Sequence, residues 1–233
     1  MGQSDVIELD NVAYSYGTKS DAPLLRDLSL TLAPGSFHFL TGPSGAGKTT
    51  FLKLCYGALK PTDGELRLFG DDLAALPRDG IALARRRIGV VHQDCKFLDH
   101  LPVIDNIALP LTVSGQVMED QQGNLDDLLA WVGLGARAHA YPPELSGGER
   151  QRAALARALI LSPEVILADE PTSNVDWEMS QRLLHLLIAL NGMGKTVMIA
   201  THDLMLIRAA KAQVQARVLR LSGGVLQAAG ADL

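Results

Sequence analysis

Apolar and polar residues alternate along 6–12, and the runs at 28–32 and 37–41 repeat the two-residue period of β-strands. Tyr16-Gly17 and Pro34-Gly35 separate these runs as turns, so the front of the chain reads as β-rich. From Gly42 a glycine-rich segment leads into residues 48–58, whose apolar positions have helical spacing, then a turn at 60–64 and a strand at 65–69. Residues 88–91 form a short apolar run predicted to be a buried strand, whereas 125–132 and 149–161 carry the helix period within a mostly helical middle section. Strand-like runs at 165–168 and 196–200 flank a helical stretch at 177–190, the spacing of a βαβ unit. Near the end, 217–221 and 225–226 bracket Ser222-Gly223-Gly224 as a hairpin. The pattern predicts an α/β fold: a mixed core sheet flanked by helices, an N-terminal antiparallel β subdomain, and a helical subdomain at about 94–160 inserted in a single domain, 1–233.

Composition narrows the function classes. A chain of 233 residues that is 47% hydrophobic and 5% aromatic builds a packed core but offers few rings for stacking nucleic-acid bases. Its formal charge of -5 provides no basic field for phosphate backbones, so no nucleic-acid partner is expected. Cys55 and Cys95 are the only cysteines, and no secretory leader is recognisable, which predicts a reduced cytoplasmic setting without disulfides. The longest apolar stretches, 183–190 and 197–200, fall far short of the roughly 18 residues a spanning helix needs, so membrane association is expected through a partner.

Gly42, Pro43, Ser44, Gly45, Ala46, Gly47, Lys48 and Thr49, followed by Thr50, satisfy the P-loop pattern between a predicted strand and a predicted helix. Glycines let successive N–H groups turn toward phosphate oxygens, and the helix start adds its dipole. Lys48 can reach the β- and γ-phosphates, and Thr49 can ligate Mg²⁺. The apolar strand at 165–168 ends in Asp169 and Glu170, where a carboxylate can hold the metal and a second can orient water. Taken alone, a glycine turn and two solvated acids would be the plain alternative; together they point to ATP hydrolysis.

Leu145, Ser146, Gly147, Gly148 and Glu149, running on into Arg150-Gln151-Arg152, supply a second anion-binding helix start, and here the chain resembles the ABC ATPase superfamily. That resemblance implies a homodimer closing on ATP, with each nucleotide held between the P-loop of one subunit and Ser146, Gly147, Gly148 and Glu149 of the other. It also implies a Q-loop glutamine at Gln93, touching Mg²⁺ with Thr49 and Asp169, and a D-loop at Ser173, Asn174, Val175 and Asp176. His202 matches the switch histidine, and Tyr16 stands where an aromatic stacks on adenine, although Tyr14 is near and either ring can pack at a strand end. On this reading Glu170 polarises the attacking water, with Lys48, Gln93 and His202 completing the catalytic set.

Within the superfamily the chain is similar to the FtsE type of cell-division ATPase. The likeness is carried by residues 40–50, 87–94 and 98–111. It implies an integral membrane partner, FtsX-like, contacted near 93–111, a position on the inner face of the plasma membrane, and control of peptidoglycan hydrolysis at the septum. Ser173 replaces a glycine common in the D-loop of such relatives, and His92, Cys95 and Lys96 fill variable Q-loop positions. The nearest alternative is the ATPase of a lipoprotein-releasing or macrolide-export transporter. A soluble ABC protein of repair or translation and a non-hydrolysing ATP-bound scaffold are the other classes. Outside these motifs, Arg85-Arg86-Arg87 reads as a solvated edge before a strand, and Trp131 and Trp177 as helix-packing residues.

Overall fold

The computed structural model describes residues 4–17, 23–116, 118–173 and 175–228. The terminal parts of the domain expected at 1–233, and Asn174 of the expected D-loop, lie outside the described residues. Strands β1 (Ile7–Tyr14), β2 (Leu25–Leu32), β4 (Asp63–Leu68) and β5 (Asp71–Asp72) pair antiparallel in the order β2-β1-β4-β5. The second sheet runs β10-β9-β3-β8-β7-β6, from β3 (Phe37–Thr41), β6 (Ile88–Val91), β7 (Val165–Asp169), β8 (Thr196–Ala200), β9 (Ala216–Ser222) and β10 (Val225–Ala228). Its β9–β10 hairpin is antiparallel and its other pairings are parallel, so the sheet is mixed.

Strands β3, β7 and β8 are buried at every position. Their near-continuous apolar runs are what a parallel sheet covered on both faces requires. One face gathers Leu40, Leu167 and Met198 with the antiparallel sheet and α1 (Lys48–Cys55). The other gathers Phe39, Ile166 and Ile199 with α6 (Trp177–Gly192) and α7 (Leu204–Lys211). Between β6 and β7 lie α3 (Val103–Ser114), α4 (Met118–Trp131) and α5 (Gly147–Leu159), which share a third cluster around Ile107, Leu111, Leu129 and Ala153.

The parallel order β3-β8-β7-β6 fixes the site. Chain segments leaving these four strands emerge at one edge of the sheet, the place where open α/β sheets bind ligands. They are the glycine-rich turn after Thr41, residues 201–202 after Ala200, the acids at the end of β7, and Gln93 just past Val91.

Three helices were not individually legible. In α2 (Arg78–Arg86) only Ala84 is buried, with Ile81 packed partly beside it, so the apolar stripe is narrow and set in a charged sequence. Pro110 sits inside α3 and masked a stripe of Val103, Ile107, Ala108 and Leu111. The eight-residue α7 is started by Asp203, whose side chain accepts from the N–H groups of Met205 and Leu206. Arg85, Arg86 and Arg87 are exposed before β6, as a solvated edge would be, and two of them also make contacts: Arg85 donates to the carbonyls of Tyr56 and Gly57, while Arg87 pairs with Glu164 and lies 3.6 Å from the centre of the Phe69 ring. Trp131 packs between two clusters as expected, but Trp177, at the first position of α6, is 43% exposed.

Candidate functional site

The turn from β3 into α1 depends on glycine. Gly42 has φ 153, and a Cβ there would come within 2.3 Å of the Leu221 carbonyl oxygen. Gly47 caps α1 in the left-handed region at φ 99 with no side-chain cap, so the first amides of the helix face outward unclaimed by side chains. There is no acid in that first turn either, which leaves the positive end of the helix dipole unopposed. Pro43, Ser44, Gly45, Ala46, Gly47, Lys48, Thr49 and Thr50 line a cleft of about 730 Å³ whose far wall is Gln93, Asp169, Glu170 and His202.

Within the cleft the charges are mutually held. Glu170 has φ 45, an uncommon value for a residue with a side chain, and its N–H donates to the Ala200 carbonyl of the neighbouring strand. This conformation turns its carboxylate inward, where Oε1 lies 2.9 Å from His202 Nδ1 and 3.5 Å from Lys48 Nζ. Lys48 also donates to the carbonyls of Gly42 and Pro43. The Lys48 and Glu170 side chains are only 10% and 9% exposed, so each charge depends on the other, whereas the His202 side chain is 71% exposed.

Asp169 is buried, and its Oδ1 has no hydrogen-bond partner. Burial pushes its carboxyl above the ordinary value, aided by the Glu170 charge and opposed by a hydrogen bond with the Thr49 side chain and by Lys48. A buried, unpartnered carboxylate oxygen beside a hydroxyl, with the Gln93 amide in the same cleft, is a donor set of oxygens suited to a hard divalent cation. Among the described residues no group of three or more His, Cys, Asp or Glu gathers as a metal site.

Tyr14 and Tyr16 separate clearly. Tyr14 is 9% exposed in the antiparallel sheet, while Tyr16 is 63% exposed, meets Tyr14 edge-on, and shares a hydrogen bond with the Thr50 hydroxyl at 3.0 Å. Tyr16 therefore presents an open ring beside the start of α1. Tyr16 is not among the residues lining the 730 Å³ cleft, whereas Leu24, which carried no signal in the sequence beyond being apolar, is.

Ser146 to Glu149 stand outside this cleft. Ser146 caps α5: its hydroxyl accepts from the Glu149 N–H, and Glu149 accepts from the Ser146 N–H at 2.8 Å and from Arg137 at 3.0 Å. The hydrogen bond from the Ser146 backbone, with help from its hydroxyl and Arg137, holds the Glu149 carboxyl below the usual range. Gly147 lines a neighbouring cleft with Gln93, Arg150 and Gln151. In the segment expected to be a D-loop, the Ser173 N–H donates to the Glu170 carbonyl, Val175 packs on the core, and Asp176 caps α6 by accepting from Met179.

The family model of the ABC transporter matches residues 25–173. The chain belongs to the ABC transporter family. The cell division ATP-binding protein FtsE of Haemophilus influenzae is 42% identical over 87% of this chain and 93% of its own length. FtsE of Bacillus subtilis is 38% identical over 95% and 94%. A solved ATP-binding cassette, a dimer in a post-hydrolysis state bound to ADP and Pi, superposes with a TM-score of 0.85 at 31% identity, covering 95% of this chain and 98% of that one. This ABC ATPase is thus of the FtsE type and hydrolyses ATP, and the relatives favour that branch over a lipoprotein-releasing or macrolide exporter. The solved cassette is a dimer; among the described residues of this chain, no helix is long and apolar enough to cross a membrane.

Proposed function

We propose that two copies of the chain close on two ATP molecules and that this closure drives an FtsX-like membrane partner, seated near 93–111, to regulate peptidoglycan hydrolysis at the division septum. The ATPase then sits on the inner face of the plasma membrane through that partner. The observation that carries the reading is the division of labour in one chain: Lys48, Asp169, Glu170 and His202 share one cleft, while Ser146, Gly147, Gly148 and Glu149 lie outside it. A phosphate bound at α1 has no second helix start above it until another copy supplies one. We read the α3–α5 layer as the subdomain that brings the second grip into place.

In that assembly the P-loop amides and Lys48 bind the phosphates, and Tyr16 offers its exposed face to adenine. Thr49, Asp169 and Gln93 would hold Mg²⁺, which when bound supplies positive charge to the β- and γ-phosphate oxygens. Lys48 leaves Glu170 for the γ-phosphate, and the freed carboxylate accepts a hydrogen bond from water aligned with the scissile bond. His202, 2.9 Å from that carboxylate, turns its other ring nitrogen to the γ-phosphate. Ser173, Val175 and Asp176, close behind Glu170 in the chain, carry the state of the site to the partner copy. Affinity isolation of the chain from membranes tests the partner: recovery of an FtsX-like protein is expected, and recovery of a lipoprotein-extracting permease would overturn the assignment.

A further inference from the structure

We propose that Arg150 is a positioning residue that clamps the Gln93-containing loop to the helix bearing the signature residues, so that the two move as one body. The inference rests on the reading above, in which Ser146 to Glu149 serve the partner copy's nucleotide. Arg150 is the residue after Glu149, in the first turn of α5. Its guanidinium donates from Nη2 to the Cys95 carbonyl at 3.1 Å and from Nη1 to the Pro142 carbonyl at 2.9 Å. One side chain thereby joins the loop after β6, the turn that precedes the signature, and the signature helix itself.

A second contact reinforces the first. The Phe97 ring lies 5.4 Å from the Arg150 guanidinium and 4.6 Å from that of Arg157, which stands two turns further along the same helix. The far end of the loop is fixed by buried Asn106 of α3, which accepts from the Leu98 N–H and donates to the carbonyls of Leu98, Leu101 and Pro102. With both ends held, a shift of Gln93 in the ATP cleft displaces α5 rather than the loop alone. The two carbonyls are reached from two different guanidinium nitrogens, a span that the single ammonium nitrogen of lysine does not reproduce.

The chain carries its own probe. Cys95 is partly exposed in the loop, where burial pushes its thiol up and slows labelling, and Cys55 is fully buried in α1. Thiol labelling with an aromatic disulfide is compared in the full-length parent, Arg150→Gln, Arg150→Lys and Phe97→Ala, with the ATP affinity of the single chain measured alongside. Arg150→Gln is expected to speed Cys95 labelling by roughly ten-fold, the loss of the charge-assisted bond to the Cys95 carbonyl, with Cys55 labelling and ATP affinity unchanged. Arg150→Lys should not restore the parent rate. In a Glu170→Gln background, Arg150→Gln should also weaken MgATP-driven dimer formation.

Parent-like Cys95 labelling in Arg150→Gln, or full rescue by lysine, overturns the clamp. If Arg150→Gln exposes both cysteines because the fold is lost, Phe97→Ala decides: faster Cys95 labelling with Cys55 protected supports the clamp, and parent-like labelling refutes it. A parent chain that fails to dimerise with MgATP in the Glu170→Gln background sinks the paired-grip reading instead. The Cys95 rates still decide the clamp in that case.

Discussion

Two helix starts in this molecule look alike in sequence and differ in what they leave open. At α1 the cap is a left-handed glycine with no side-chain bond and no acid in the first turn, and Lys48 stands beside it. At α5 the cap is Ser146 in a closed capping box with Glu149, itself tied to Arg137. The helices α6 and α7 are capped by Asp176 and Asp203, whose charge disfavours anions. An anion therefore meets an unobstructed, positive site at α1 and a satisfied one at α5. Under the proposed function the contrast implies an order: nucleotide binds first at α1, and the start of α5 joins when a second copy brings it to a phosphate already held.

The largest effect that sharpens this contrast belongs to Glu170. Glu170→Gln should cut turnover by roughly 10²–10⁴-fold, the range for removing a positioned base, while ATP still binds; measured phosphate release at the parent rate would refute the role.

Lys48→Ala and Gly148→Asp should separate the two starts. Removing Lys48 should weaken ATP binding by the single chain on the order of 100-fold, as loss of a buried charge-assisted contact does, read by nucleotide titration. Gly148→Asp should leave that affinity intact yet suppress turnover. A Cβ at Gly148 meets only the flexible Met179 side chain, and an acid near a helix start is tolerated by the fold, so the new charge acts on the arriving phosphate. Equal loss of single-chain affinity in both variants would erase the distinction.

Gly42→Ala tests how strictly the open start depends on its loop. Its Cβ would collide with the Leu221 backbone, and a loss of stability of about 2–4 kcal/mol is expected in denaturant unfolding.

The smallest effect at neutral pH lies in the strand that feeds α1. His38 in β3 is buried with neither ring nitrogen partnered, and burial, with Arg217 adding repulsion, lowers its pKa to about 4. Because the folded value lies below the unfolded one, stability is intact above about 6.5 and is lost as pH falls toward 4, by about 3 kcal/mol. His38→Leu should flatten that acid limb in unfolding curves taken between those pH values; an unchanged limb would assign it to other groups.

Much of this was legible because the parallel strands are continuous apolar runs and because phosphate chemistry demands particular residues at fixed spacing. The βαβ spacing around β7 and β8 marked a parallel sheet, and the glycine-rich turn before α1 and the two acids after β7, both singled out by their residue types, line one cleft. The order β3-β8-β7-β6 was not legible, since strand neighbours follow from packing between segments far apart in the chain. Nor was α3, where Pro110 argues locally against a helix that burial of Ile107 and Leu111 nevertheless holds. The convergence of Lys48 and His202 on one oxygen of Glu170 depends on a left-handed backbone at a non-glycine residue, which no local propensity signals. Arg150 reads in the sequence as one more charge in a polar helix turn.

The claim that two incomplete sites become two complete ones is tested most directly by sedimentation of the Glu170→Gln chain with MgATP and bound nucleotide counted. A dimer holding one nucleotide per chain is expected, and adding Gly148→Asp should return it to ATP-bound monomers. A dimer that persists unchanged with Gly148→Asp, or that forms without nucleotide, would contradict the account.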